Sequence, residues 1–181
     1  MDMNTVYLAG SWHRKEELRP YADLFRRYGI DVLSRWLYEP ASATSKINDL
    51  PQDYLEEAAL RDIEDVYHAD VLVLFSNGYD SAAVGGGRFF EAGLAFAQSK
   101  PIITVGEPEM IFQKLSEDEL FYTVKSVHEA VSLVLNWQTE IAQYRFREKA
   151  RESNKDFVNV LNAQGGTQYA LDFGDAPWGG I

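Results

Sequence analysis

The chain has no cysteine. That excludes disulfides, thiolate catalysis and cysteine-ligated zinc, and it fits the reducing cytoplasm in which the protein is expected to work. Histidine is nearly as scarce. His13, His68 and His128 are too scattered to make a ligand cluster, so neither a metal nor another cofactor is expected. Basic residues are in deficit, with 17 Lys and Arg against 28 Asp and Glu, for a formal charge of -11. A nucleic-acid polymer is a poor partner for such a surface, because phosphate contacts need a positive face. A small anion stays open, since a few backbone N–H groups can cradle one phosphate inside an acidic protein. No run approaches the roughly 20 apolar residues of a membrane helix, so no membrane partner is expected. The opening MDMNTVYLAG lacks the basic segment of a signal peptide. What remains is 181 residues, 46% hydrophobic and 25% charged. That is enough for one domain with a good core, and it favours a small-molecule ligand.

Short β-rich runs alternate with helical stretches. Residues 5–10 (TVYLAG) read as a first strand, and 14–28 as a helix with Leu18, Tyr21, Ala22, Leu24, Phe25 and Tyr28 near helical spacing and Gly29 as its stop. Residues 31–36 (DVLSRW) read as a second strand, 38–51 as a long polar loop, and 52–68 as a helix. The continuous apolar run 70–76 (DVLVLFS) has the pattern of a central strand buried on both faces. A glycine-rich loop, 77–87, leads to a helix over 88–99, a buried strand over 101–105 and an edge strand over 120–124. A long helix follows, from about 127 towards 151. Such alternation predicts an α/β protein, a flavodoxin- or Rossmann-like three-layer sandwich around a mostly parallel, five-stranded sheet. Ligands of such sheets sit beyond the carboxyl ends of the strands, where residues 10–12, 76–87 and 106–110 emerge together. The composition shifts near Gln138 to a charged, helix-prone stretch and then a tail rich in Gly and aromatic residues. We therefore expect an α/β domain over 1–137 and a helical extension with a tail over 138–181. The latter is either a loose appendage or a subunit contact or lid.

The densest chemical signal is GGGRFFEAGLAFA, residues 85–97. Glycines at a strand-to-helix turn either make a tight connection or let the backbone approach a ligand at the helix N-terminus. Glu91 stands one turn into that helix and points back towards the glycines. It is either a solvated charge or a nucleophile that the helix N-terminus is expected to keep ionised. Asp62 and Asp65 lie three apart on the helix that feeds the central strand, where charged pairs commonly mark a solvated face. In the first strand, Tyr7 is either a core aromatic or a group that orients a carboxylate, and Ser11 either caps the next helix or binds an anion.

These elements in order, VYLAGS, then D-x-x-x-x-x-x-A-D, an apolar strand, G-x-x-x-E-x-G-x-A-x-A and KPIITV, resemble the nucleoside 2-deoxyribosyltransferase superfamily. That superfamily includes the 2'-deoxynucleoside 5'-monophosphate N-hydrolases. The resemblance covers residues 5–115. It implies that Glu91 is the nucleophile, that Asp62 assists the leaving base and that Tyr7 hydrogen-bonds the nucleophile. It places Gly87 at the glycine four before the nucleophile and draws Gly10, Ser11 and Trp12 into substrate binding. Residues 107–115 resemble the segment that reaches a neighbouring subunit's pocket, with Met110 and Phe112 as base contacts, which implies a homodimer or higher homo-oligomer.

Two positions depart from the pattern. Six residues before the nucleophile, classical transferases carry a sugar-binding Asp and the monophosphate hydrolases a Ser; this chain has Gly85, and Asp80 is the candidate replacement. Arg88 sits where the helix dipole disfavours a cation. It serves either an anionic substituent or a salt bridge to a carboxylate such as Glu91. The implied activity is cleavage of the N-glycosidic bond of a nucleoside or nucleotide through a covalent glycosyl-Glu91 intermediate, as in retaining glycosidases. The alternatives are a monophosphate N-glycosidase, a non-catalytic nucleotide-binding module and a scaffold acting through its C-terminal helix.

Overall fold

The structure, a computed structural model, describes residues 3–39, 49–77, 86–115 and 120–163, with side chains omitted at 153–154 and 156–163. The chain divides into two compact units, Met1–Gln138 and Thr139–Ile181. The first is built on five strands: β1 (Thr5–Ala9), β2 (Asp31–Val32), β3 (Val71–Phe75), β4 (Ile102–Val105) and β5 (Phe121–Val124). All neighbours pair in parallel in the order β2-β1-β3-β4-β5. Every residue of β3 is buried, as a central parallel strand requires. Four helices complete the description: α1 (Lys15–Arg27), α2 (Gln52–His68), α3 (Gly87–Ala97) and α4 (Val127–Ala163). No described helix is long and apolar enough to cross a membrane.

Alternation along the strands assigns the two faces of the sheet. Val6, Leu8 and Phe75 share one face, where Tyr21 of α1 stacks on Phe75 at 5.5 Å and Trp137 of α4 meets Tyr122 edge-on. Tyr7, Leu72, Leu74 and Phe121 share the other, where α3 brings Glu91 to Tyr7 and Phe96 to Phe121. This is the α/β sandwich that the alternation implied.

Local signals account for the ends of the elements. Helix α1 stops in a Schellman motif: Ile30 N–H reaches Phe25 O, Gly29 N–H reaches Arg26 O, and Gly29 takes φ +75°, which costs glycine little. Helix α2 is closed by Lys100, a buried cation whose ammonium donates to the carbonyls of Val66 and Tyr67.

The second strand is shorter than expected. After Val32 the chain turns, and Arg35–Tyr38 form a 3-10 turn. Side chains replace the missing ladder: Leu8 N–H donates to Ser34 Oγ at 2.6 Å, and Trp36 Nε1 donates to Leu8 O at 2.9 Å. The open edge of β1 is thereby satisfied without further strand. The long helix also runs farther than expected, to Ala163. In the second unit residues 139–163 are helical, with Tyr144 and Phe146 exposed.

Candidate active site

Three groups from three elements meet on the Tyr7 face of the sheet. Tyr7 comes from the middle of β1, has no exposed surface, and donates its hydroxyl to Glu91 Oε1 at 2.9 Å. Glu91 comes from the second turn of α3, and Asp62 from the third turn of α2. Glu91 Oε2 and Asp62 Oδ1 are shut off from solvent and have no hydrogen-bond partner among the described residues. Two buried carboxylate oxygens left unpaired on neighbouring helices are costly to keep.

The electrostatics follow from that burial. Desolvation is the main cause that lifts Glu91 to about 8; the charge of Asp62 adds to it, while the Tyr7 hydrogen bond and the charge of Arg88 act against it. Desolvation also lifts Asp62 to about 7, helped by Glu39 and Asp65 and opposed by Arg61 and Arg35. The expectation that Glu91 stays ionised at neutral pH is therefore corrected: burial outweighs the positive end of the helix. Because the charge of Asp62 raises Glu91, the titration of one depends on the state of the other. Tyr7 is pushed far above the range of a free phenol, by burial first and then by the charges of Glu91 and Asp62, so it remains a hydrogen-bond donor.

Other expected site residues lie along the carboxyl edge of the sheet. A Cβ at Gly10 would come within 2.5 Å of Leu18 Cδ1, so this glycine lets α1 pack against the end of β1. Ser11 is buried but makes no capping hydrogen bond with its side chain. Trp12 lies 6.3 Å from Trp36, with the Lys15 ammonium 4.0 Å over its ring. Gly87 opens α3 and is exposed, with nothing within 4 Å of the place a Cβ would occupy. Met110 begins the 3-10 turn Ile111–Lys114, and Phe112 within it is 58% exposed. Asp80 and Gly85 lie outside the described residues.

Arg88 has a partner other than the one expected. It is buried, its guanidinium covers the Phe89 ring, and it pairs with Glu109 at 3.1 Å. Glu109 also accepts the Asn77 N–H at 2.9 Å, so one carboxylate ties together the end of β3, the start of α3 and the turn after β4. Gln113 secures that turn by accepting from Glu109 N–H and Met110 N–H.

Sequence reasoning named Asp65 but not its partner Arg35, and it missed the Glu39–Arg61 pair beside Asp62. Asp65 takes Arg35 through both its backbone N–H (2.9 Å) and its Nε (2.7 Å), so it braces the Arg35–Tyr38 turn against α2. Arg61 pairs with Glu39, whose other oxygen accepts from Tyr54 Oη at 3.2 Å and whose backbone carbonyl accepts from Lys15 Nζ at 2.7 Å. The one available signal was an Arg beside Asp62 in the sequence; Glu39, in the stretch read as a polar loop, gave none.

A buried, paired carboxylate system with a hydroxyl donor can deliver an oxygen nucleophile and a proton to one bound molecule. No protein-family model and no curated protein matches the chain. Three solved structures are similar to it. A CMP N-glycosidase of Clostridium botulinum matches with TM-score 0.45 and 15% identity, over 72% of this chain and 97% of that one. A conserved protein from Enterococcus faecalis V583 matches with TM-score 0.42 and 20% identity, over 78% and 99%. A 2-deoxyribosyltransferase from the psychrotolerant bacterium Bacillus psychrosaccharolyticus matches with TM-score 0.50 and 19% identity, over 70% of this chain and 90% of that one, and with it this chain shares its fold.

Proposed function

We propose that the protein cleaves and re-forms the N-glycosidic bond of a 2'-deoxynucleoside, as a nucleoside 2-deoxyribosyltransferase-like enzyme. The observation that carries this reading is the Tyr7–Glu91 hydrogen bond beside Asp62, on the fold shared with a 2-deoxyribosyltransferase. Ionised Glu91 attacks C1' and forms a C1'–O ester bond. The C1'–N bond breaks, its electron pair leaves with the base, and Asp62 supplies the base with a proton. A second base reverses both steps. Tyr7 holds Glu91 Oε1 in place and stabilises its ionised form. Binding in this geometry also removes much of the entropic cost of bringing two reactants together.

The productive form has Glu91 ionised and Asp62 protonated, the less populated of the two singly protonated forms, since Asp62 titrates near 7 and Glu91 near 8. With the pair titrating near 7 and near 8, the rate is expected to peak between those values and fall on either side. The transferase reading is preferred to a 5'-monophosphate N-glycosidase because Arg88, the cation nearest the glycines, is engaged by Glu109. A second copy of the chain completing the pocket through Met110 and Phe112 belongs to the same reading, as do Gly10, Ser11, Trp12, Gly87, Asp80 and Gly85 as substrate contacts.

The test is a panel of deoxynucleosides and their 5'-monophosphates, incubated with and without free adenine and followed by chromatography. Exchange of bases only when adenine is present is the expected result. Release of base from monophosphates without an acceptor would replace the transferase by the hydrolase. Tight binding of an intact nucleotide without turnover would replace both by a binding module.

A further inference from the structure

Asp62 has an unusual neighbour in the sequence. Arg61 precedes it on α2, and its charge reaches Asp62, whose pKa it acts to lower; a long, flexible guanidinium so placed could turn to pair with it. Here it does not: Arg61 pairs with Glu39 and, at 3.8 Å, with Glu57, while Asp62 Oδ1 is buried without a hydrogen-bond partner among the described residues. Glu39 is fixed for this purpose from three sides. Arg61 holds one carboxylate oxygen, Tyr54 Oη holds the other, and Lys15 holds the backbone carbonyl. Its side chain is only 10% exposed, so the pair is sheltered from the solvent that would weaken it.

We infer that Glu39 is a positioning residue for Asp62: by holding the Arg61 guanidinium on its own carboxylate, it keeps that cation off the adjacent Asp62, which thereby retains the proton that a departing base receives. The leaving-group role of Asp62 in this statement rests on the proposed function; the diversion of Arg61 does not. The same logic operates on the other side of Asp62, where Asp65 and Glu64 occupy Arg35. Both cations that could claim Asp62 are thus held by other carboxylates. The remaining groups around it, Tyr54 on its own helix, Tyr7 on β1 and Glu91 on α3, are neutral or acidic.

Removing one or the other member of the pair makes opposite predictions, which a merely structural pair would not. Glu39→Gln releases Arg61 towards Asp62 and removes a repelling charge, so Asp62 should titrate lower by about one pH unit or more. Arg61→Met leaves the Glu39 charge uncompensated beside Asp62, so Asp62 should titrate higher. The readout is the 13C-carboxyl shift of Asp62, followed by NMR across pH in the full chain without substrate and assigned with Asp62→Asn. Movement in opposite directions supports the inference. Movement in the same direction, or none in either variant, overturns it. If Glu39→Gln fails to fold, Arg61→Met alone still decides, because a fall or no change there is incompatible with the inference. The base-exchange assay adds the functional half: the acid limb of the rate, set by Asp62, should move to lower pH in Glu39→Gln, and the maximal rate should fall as less Asp62 keeps its proton. Opposite NMR shifts in a protein that exchanges no base would sink the proposed function and leave the charge arrangement standing. Base exchange with unmoved NMR midpoints would do the reverse.

Discussion

Both faces of the sheet are covered by helices, yet they differ in what they bury. On the α1 and α4 side the contacts are aromatic and aliphatic: Tyr21 on Phe75, Trp137 on Tyr122, and Leu18, Ala22 and Phe25 against β1 and its neighbours. Apart from buried Lys15 at its start, α1 carries its charges outside in i,i+3 pairs such as Arg19–Glu16 and Arg26–Asp23, which contribute little. On the α2 and α3 side a tyrosine hydroxyl, Glu91 Oε2 and Asp62 Oδ1 are taken out of water. Hydrophobic burial accounts for the packing of the first face. It does not explain the second, because apolar residues at Glu91 and Asp62 would hold the same helices at lower cost. Among the described residues, that cost is what supports placing the proposed chemistry on this face.

The sharpest way to break this comparison is Glu91→Gln. The amide keeps the shape and can still accept the Tyr7 hydroxyl, so the fold and nucleoside binding should survive. Turnover in the base-exchange assay should fall by roughly 10³-fold or more, because an amide cannot form the glycosyl ester. Near-normal turnover would leave the buried carboxylates without a purpose, and the contrast between the faces would lose its meaning.

The opposite face should show the reverse behaviour. Tyr21→Ala removes the ring stacked on Phe75 and should lower the stability by about 2–4 kcal/mol in urea unfolding, while the Michaelis constant and kcat at saturating stability remain near wild type. A large loss of kcat in protein still shown to be folded would mean that the two faces are coupled.

How much of this was legible beforehand depends on how local each feature is. The apolar run of β3, the Gly29 stop and the strand–helix alternation are local, and each gave its element within a residue or two. Glu91, Asp62 and Tyr7 could be named because their spacings relative to glycines and to Asp70 form a recognisable order. Glu39 could not. It lies 22 residues from Arg61 and acts through a contact made only when the turn after β2 folds onto α2. The shortness of β2 was hidden for a similar reason: Ser34 and Trp36 side chains supply hydrogen bonds that a strand would have supplied, and nothing in DVLSRW announces it. Glu109 was missed as the partner of Arg88 because it is 21 residues away, on a different connection. The ionisation of Glu91 was misjudged because a helix N-terminus can be inferred from sequence, whereas the depth at which a side chain is buried cannot.

That depth makes the last prediction, which is smaller in size but tests the comparison without any substrate. Glu91 and Asp62 both titrate above the ordinary carboxylate range in the folded protein, so the folded state holds their protons more tightly than the unfolded chain does. Their contribution to stability is then fully present below the ordinary carboxylate range. It is eroded as the pH rises and lost once the pH has passed through about 7 to 8. Carboxylates whose folded values are lowered, such as Glu17 and Glu64, act in the opposite direction at acid pH, so the raw profile of the wild type mixes the two. Subtracting the profile of Glu91→Gln removes the shared part. The difference in urea-unfolding free energy should be small near pH 4. It should grow to on the order of 1–3 kcal/mol in favour of Glu91→Gln near pH 9, where the wild type must bury an ionised carboxylate beside another. A difference that stays flat with pH would mean that Glu91 is solvated in the folded protein. The two faces of the sheet would then differ in sequence but not in the cost of what they bury.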